Sequence, residues 1–263
     1  MYTGTYKLGI NLMGGTGLSV DDHVAMLKRI GWDGFFTGWE KNLLPEYQAA
    51  AEKYGIIWQS IHAPFHQVRY MWNEGEPGEQ VTAELIECVK DCAAHNVPVM
   101  VIHPFIGFEE HDPTEVGLAN FGRIIEAADT LGVRLGFENV EGEEYLQAIF
   151  ERYAGHPSLG FCLDTGHLML AHKGGHGDFI RRAASRLKAL HITDVVGENC
   201  DHVLPMVGGR CNWSEIISAL REINYQGLFN YEIPTSSFKV PLEIKKLSGE
   251  YACRLAKKML EIC

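Results

Sequence analysis

The chain has 263 residues, of which 46% are hydrophobic and 22% are charged. These values are ordinary for a folded globular protein and exclude wholesale disorder. Its 34 acidic residues outnumber its 23 Lys and Arg residues, and the net charge is -11. This balance argues against a nonspecific nucleic-acid binder, because phosphate binding needs clustered cations.

The sequence shows no sign of a membrane segment or of a secretion signal. No apolar run reaches the roughly 18–20 residues that a membrane helix needs, and the N-terminus lacks a basic region followed by a long apolar stretch. We therefore expect a cytoplasmic protein that binds neither a membrane nor nucleic acid. The seven cysteines form no Cys-x-x-Cys pair, so no disulfide framework is expected.

Short apolar or β-branched runs recur along the chain and predict eight strands. They cover residues 6–12, 31–39, 56–65, 97–105, 133–140, 159–167, 187–195 and 227–234. Amphipathic stretches between them predict helices, the clearest of which cover 19–30, 79–96, 114–132 and 212–224. Ser19 is expected to cap the first of these helices, and Asn212 with Glu215 has the spacing of a capping box before the last.

The alternation of strands and helices predicts parallel β-α-β units. Eight such units in this length fit an α/β fold in which one (β/α)8 TIM barrel spans residues 1–263 as a single domain. A doubly wound open sheet is the alternative. It would favour a phosphate-binding glycine motif after the first strand, and the Gly-rich stretch 11–17 lacks that spacing.

Residue types that bind metals recur at the ends of six consecutive predicted strands. Because all strand ends of a parallel barrel open on the same mouth, these side chains are expected to converge there. Converging carboxylates would repel each other, and a divalent cation would compensate their charge. The side chains in question, in chain order, are His62, His103, Glu138, Asp164, His167, His191 and Glu232.

The four residues we expect to bind the metal come from four successive strands: Glu138, Asp164, His191 and Glu232. Carboxylates and imidazole without cysteine suit one ion of Mn, Zn, Co or Mg, with coordination positions left open for substrate. His202 lies in the loop after the seventh strand and is a further candidate for this mouth. Trp39, Phe65, Phe105 and Phe108 are candidate aromatic residues of the mouth loops.

These motifs resemble the xylose-isomerase-like barrel superfamily, in its sugar phosphate isomerase/epimerase branch. The resemblance rests on Glu138-Asn139, on 163–167 (LDTGH), on 191–194 (HITD), on the segment 202–213 and on Tyr231-Glu232, and it runs from about residue 8 to 233. It implies one divalent metal held by the four residues named above, with His167 contacting the substrate. Barrels of this kind often self-associate, so a homo-oligomer stays open.

The reaction that the resemblance implies is isomerisation or epimerisation of a sugar or sugar phosphate through a metal-stabilised enediolate. Glu138 and Glu232 would act as acid and base, while His62, His103, His167 and His202 would bind substrate. The ketose epimerases of the superfamily carry an Arg in the loop after the strand-seven His, and this chain has none between His191 and Gly209.

Two alternatives stay open at this point. An apurinic-endonuclease-like metallohydrolase would hold several zinc ions and use His62, His103, His167 and His202 as extra ligands, hence a second metal. Its relatives carry an Asp two residues before the loop His, where this chain has Cys200. The second alternative is an inosose dehydratase-like lyase or a sugar-binding protein on the same barrel.

Overall fold

Eight short strands alternate with helices along the chain. In the computed structural model, the strands are β1 (Leu8–Asn11), β2 (Gly34–Gly38), β3 (Ile57–His62), β4 (Val99–Ile102), β5 (Arg134–Glu138), β6 (Leu159–Asp164), β7 (Leu187–His191) and β8 (Phe229–Tyr231). The residues that the structure describes are 6–12, 16–106, 112–140, 142–198, 202–233 and 241–263.

The strands form one parallel sheet in the order β7-β6-β5-β4-β3-β2-β1-β8. The sheet closes on itself where the backbone of Ile192 pairs with Tyr231 in parallel. At this seam the Ile192 amide donates to the Asn230 carbonyl at 2.8 Å, and the Glu232 amide donates to the Ile192 carbonyl at 3.2 Å. The predicted TIM barrel is therefore confirmed.

Helices cover the outside of the barrel. They are α1 (Val20–Ile30), α2 (Leu44–Tyr54), α3 (Glu76–Ala94), α4 (Glu115–Leu131), α5 (Glu143–Arg152), α6 (Thr165–His172), α7 (His176–Ala183), α8 (Trp213–Glu222) and α9 (Leu242–Ile262). Ser19 Oγ caps α1 by accepting from the Asp22 amide, as predicted, and Asn212 Oδ1 caps α8 by accepting from the Glu215 amide. The Glu215 carboxylate accepts from the Gly177 amide at 2.9 Å, which is not the amide that the predicted capping box would use. None of the helices in the described part of the chain is long and apolar enough to cross a bilayer.

The predicted strands were too long at their C-terminal ends. The sequence predicts one strand over 159–167, but β6 stops at Asp164 and α6 begins at Thr165. The Asp164 carboxylate accepts a hydrogen bond from the His167 amide at 2.7 Å, which caps the new helix. An apolar run cannot reveal this switch, because buried strand and buried helix look alike over a few residues.

Two layers of packing build the core. The outer strand faces and the helices share one large apolar cluster, which includes Phe121, Phe137 and Tyr145. Inside the barrel a small cluster of modest side chains, Val99, Val101, Cys162 and Ala189, fills the lumen beneath the mouth. Because these side chains are small, the polar residues at the strand ends can approach the barrel axis above them.

Candidate metal centre

Six strand ends deliver polar side chains to one mouth of the barrel. His62, Glu138, Asp164 and His191 are the last residues of β3, β5, β6 and β7. His103 and Glu232 follow β4 and β8 by one residue each, and both remain within the mouth. The register of the parallel strands therefore produces the convergence that was expected from sequence.

Four of these side chains meet closely enough to share one metal ion. Glu138, Asp164, His191 and Glu232 each place one donor atom within 4.8 Å of the others'. His191 Nδ1 lies 3.1 Å from Glu138 Oε2 and 2.8 Å from Glu232 Oε2. The first three residues are at most 1% exposed, whereas the Glu232 side chain is 23% exposed.

The Asp164 carboxylate is oriented by its neighbours so that one oxygen faces the centre. Oδ1 accepts from the His167 amide at 2.7 Å and from the Thr193 hydroxyl at 3.2 Å. The Asn139 side chain forms two hydrogen bonds with the Asp164 backbone: Nδ2 donates to the carbonyl at 2.9 Å, and Oδ1 accepts from the amide at 2.8 Å. Oδ2 is buried without a hydrogen-bond partner among the described residues. A buried, unpaired carboxylate oxygen is costly unless a cation binds it, so Oδ2 fits a metal ligand.

The electrostatics of the centre favour a cation. Burial raises the pKa of Glu138, but the charges of His191 and His103 outweigh burial and hold that pKa well below its usual range. For Glu232 the His191 imidazole likewise overcomes burial and lowers the pKa to about 2. Burial disfavours the charged form of His191, yet Cys162, Glu232 and Glu138 together raise its pKa well above the usual value. Positive charge is thus stabilised between the two glutamates.

Two further histidines surround Glu138 from the other side. His62 Nε2 and His103 Nε2 each lie 3.4 Å from Glu138 Oε2. His62 Nδ1 lies 2.9 Å from the Ala63 carbonyl and donates to it, which leaves Nε2 as a lone-pair donor directed at the carboxylate. Both His103 nitrogens are buried without a hydrogen-bond partner in the described residues, and burial lowers the pKa of this imidazole. These three residues are a second potential ligand set.

The remaining two predicted histidines lie beside Asp164. His167 Nδ1 is 3.3 Å from Glu138 Oε1 and 3.8 Å from Asp164 Oδ1. His202 Nε2 is 3.9 Å from both Asp164 Oδ2 and Glu232 Oε2, and its ring meets that of His167 edge to face. Asp164, His167 and His202 form a third potential ligand set. Every residue proposed from sequence for this site is therefore part of one cluster of nitrogen and oxygen donors, a composition that suits Mn, Zn, Co or Mg.

A cavity of about 620 Å³ opens onto the cluster and is lined by His62 and Glu232. This volume is in the range of small-molecule sites. Trp39 and Phe65 line the cavity as predicted. Phe105 does not line it, because its ring stacks on Tyr145 at 4.4 Å and is 2% exposed. Phe108 lies outside the described residues.

Sequence reasoning missed two residues that hold the site together. Phe36, near the end of β2, stacks on the His191 ring at 4.7 Å and restrains its orientation. Asp194 belongs to the 191–194 motif, and its buried Oδ1 accepts from the amides of Val195, Arg210 and Cys211. Hydrogen-bonding residues three positions beyond a strand carry no periodic signal, so only their partners reveal the role.

The Asp194 carboxylate anchors the loop that carries His202. Its Oδ2 accepts from Trp213 Nε1 at 2.9 Å, which ties the loop to the start of α8. Gly209 passes so close that a Cβ there would lie 2.0 Å from Asp194 Cγ, which explains the glycine. The backbones of Asp194 and Val203 pair in antiparallel fashion next to His202. The loop is therefore held on both of its sides.

Comparison with known proteins places this architecture among characterised folds. The chain is 35% identical over 99 residues to the uncharacterized protein y4fM of Sinorhizobium fredii; the match covers 36% of this chain and only 31% of that protein. D-Psicose 3-epimerase of Clostridium cellulolyticum H10 superposes with a TM-score of 0.75 at 17% identity, over 97% of this chain and 99% of the epimerase. An L-ribulose 3-epimerase superposes with a TM-score of 0.77 at 16% identity, over 97% and 95% of the two chains.

At these identities the two structures demonstrate a common fold. The family assignment comes from a sequence model described as xylose isomerase-like TIM barrel, which matches residues 19–254. The match includes all seven strand-end candidates and His202. The chain belongs to the xylose isomerase-like TIM barrel family.

Proposed function

We propose that the protein is a divalent-metal-dependent isomerase or epimerase of a sugar or sugar phosphate. The observation that carries this proposal is the meeting of two carboxylates, Glu138 and Glu232, at His191 Nδ1 beside an open cavity. The fold shared with a psicose and a ribulose 3-epimerase supports the same class of reaction.

One ion of Mn, Zn, Co or Mg would be held by Glu138, Asp164, His191 and Glu232. When bound, the metal would act as a Lewis acid on a substrate carbonyl and its neighbouring hydroxyl, which makes the proton on the adjacent carbon more acidic. Asp164 contributes Oδ2, because its other oxygen is already engaged by Thr193 and the His167 amide. His191 is kept in place by the Phe36 ring.

The two glutamates are the proposed acid and base. Isomerisation or epimerisation needs a proton removed next to a carbonyl and returned elsewhere, or on the opposite face. Glu232 lines the cavity and is partly exposed, so its carboxylate reaches a substrate from the open side. Glu138 lies deeper among the imidazoles. The low pKa values keep both carboxylates ionised at neutral pH, which is the form that accepts a proton.

The four surrounding histidines are the proposed substrate contacts. His62 lines the cavity and directs Nε2 inward, so this nitrogen would accept a hydrogen bond from a substrate hydroxyl. His103, His167 and His202 complete the ring of imidazoles around the two carboxylates. Imidazole nitrogens donate to or accept from hydroxyl groups, which is how these residues would orient a sugar in the cavity.

The test begins with metal content, measured by mass spectrometry on protein purified without a chelator. The metal-loaded protein is then incubated in D2O with a panel of ketoses and aldoses, and proton NMR follows both product and deuterium at carbon. Proton transfer incorporates deuterium, whereas a hydride shift produces isomer without it. We expect Glu138→Gln and Glu232→Gln each to reduce turnover by about 100-fold or more, and the exposed Glu84→Gln to leave it unchanged.

A second candidate function is favoured by one specific observation. His62 and His103 with Glu138, and His167 and His202 with Asp164, form two extra ligand sets next to the central one. A multinuclear zinc centre of this kind suits an apurinic-endonuclease-like hydrolase. Two or three zinc ions per chain together with cleavage of abasic DNA would support this hydrolase, while one metal with sugar turnover supports the isomerase. Loss of water from one of these sugars, visible in the same NMR assay, would instead identify a lyase.

A further inference from the structure

A second large cavity lies at the opposite end of the barrel from the candidate metal centre. It measures about 720 Å³ and is lined by the first residues of several strands and the residues before them, including Ile57, Val99 and Leu187. Active sites of this fold lie at the other end, where the strands finish. A molecule in this cavity would therefore be bound at a distance from Glu138 and Glu232.

The cavity collects positive charge in a strongly acidic chain. Three cationic side chains, Lys7, Arg134 and Lys188, line it, and none of its lining residues within the described part of the chain is acidic. This contrasts with the excess of 34 acidic over 23 basic residues in the whole sequence. The charge that lines the cavity is therefore opposite in sign to the net charge of the chain, an arrangement that attracts a small anion.

Lys188 is held at the cavity by the local structure. Gly160 on the neighbouring strand leaves room for it, since a Cβ at Gly160 would lie 2.4 Å from Lys188 Cγ. Its Nζ donates to the Ser185 carbonyl at 2.7 Å, so the ammonium group is oriented at the rim. Partial burial and the charges of Arg134 and Arg186 lower the pKa of Lys188. The cations thus lie close enough to repel one another, and a bound anion relieves this repulsion.

A buried polar group lines the same cavity. The Gln59 side chain is 5% exposed and hydrogen-bonds the Tyr225 phenol, while its carbonyl oxygen Oε1 has no hydrogen-bond partner among the described residues. A buried amide oxygen without a donor is costly, so a donor from a ligand or water is expected there. Because an amide carbonyl accepts hydrogen bonds, its natural partner is a hydroxyl group and not the anion itself.

We propose that this cavity is a binding site for the phosphomonoester of a small polyol. The phosphate would pair with Lys188, Arg134 and Lys7 at the rim, and a hydroxyl of the polyol would donate to Gln59 Oε1. Charge-assisted hydrogen bonds from Arg and Lys suit a phosphate dianion. The cavity volume lies in the range that accommodates small organic ligands.

Isothermal titration calorimetry of the full, metal-loaded chain tests the proposal with sorbitol 6-phosphate as the probe. This polyol phosphate has no carbonyl group, so an isomerase cannot turn it over, and any binding at the candidate metal centre is distinguished because it is unchanged in the cation variants. Inorganic phosphate and unphosphorylated sorbitol are titrated in parallel. The variants are Lys188→Gln, the exposed Arg134→Gln, and Gln59→Leu, with Lys246→Gln on the exposed side of α9 as the matched charge control. All variants leave the residues of the candidate metal centre unchanged.

We expect saturable binding of sorbitol 6-phosphate that weakens about tenfold or more in Lys188→Gln and in Arg134→Gln. Gln59→Leu should weaken sorbitol 6-phosphate binding and leave inorganic phosphate unaffected, and Lys246→Gln should change neither. Thermal unfolding of each variant checks that it folds. If Lys188→Gln does not fold, Arg134→Gln, at an exposed position, still tests the site. Absence of saturable binding, or binding that survives both cation variants, would overturn the site. Equal affinity for inorganic phosphate and insensitivity to Gln59→Leu would overturn the polyol assignment.

Discussion

Replacement of Asp194 by Asn is the sharpest test of how the loop after β7 is held. Asp194 Oδ1 accepts from three backbone amides, so the Asn variant must keep its carbonyl oxygen at that place. The Asn amino group then points at Trp213 Nε1, which is itself a donor. A charge-assisted hydrogen bond worth about 1.5–3 kcal/mol is lost, and the facing donors are left buried without an acceptor. We expect Asp194→Asn to lower the free energy of unfolding by about 3 kcal/mol.

A double-mutant cycle isolates this single contact. Trp213→Phe alone leaves Asp194 Oδ2 without its donor and should cost about 2 kcal/mol or more. In the double variant the Trp213 donor that faced the Asn amino group is gone, so the costs of the two single variants should sum to about 1–2 kcal/mol more than the cost measured for the double variant. Urea unfolding measures all four proteins. Pairing Asp194→Asn with Trp58→Phe, whose indole contacts Thr37 instead, provides the additive control.

Additive costs for Asp194 and Trp213, within about 0.5 kcal/mol, would refute this account of the loop. The outcome also bears on the candidate centre, because His202 lies beside the Asp194–Val203 backbone pair. If Asp194→Asn keeps metal content but weakens substrate affinity, the loop acts by positioning His202. If neither changes while stability falls, Asp194 serves the fold alone.

Three further predictions follow from particular contacts. Chelation of the metal should lower the midpoint of thermal unfolding, because a ligand present at 1,000 times its dissociation constant stabilises the folded chain by about 4 kcal/mol. In a thermal scan of Glu138→Gln, chelation should cause no such shift. Burial lowers the pKa of His23 to about 4, whereas the imidazole of the unfolded chain binds its proton at higher pH. The free energy of unfolding should therefore fall by about 3 kcal/mol as the pH drops from 7 to 4. Urea unfolding of His23→Gln should show a flatter pH profile. Gly117→Ala should lower stability by about 1–3 kcal/mol, because its Cβ would lie 2.0 Å from an indole carbon, whereas Gly155→Ala, with open space around it, should not.

Much of the site could be predicted from sequence because all strands of a parallel barrel have their C-terminal ends at the same mouth. Glu138, Asp164 and His191 end successive strands, and every strand end opens on the same mouth. The alternation of strands and helices along the sequence was therefore enough to predict that these side chains converge, without knowledge of how the core packs. The assigned roles, such as proton transfer by Glu138 and Glu232, remain predictions.

The amino-acid sequence by itself determined the fold class and which residue types reach the mouth, since both follow from local periodicity. Only the tertiary structure decided which atoms meet there. It directs Asp164 Oδ2 to the centre through Thr193, encloses Glu138 among imidazoles and leaves Glu232 at the open side. It also gathers Arg134 and Lys188 at the far end of the barrel. These outcomes depend on contacts between residues distant in the chain, and such contacts leave no periodic trace in the sequence.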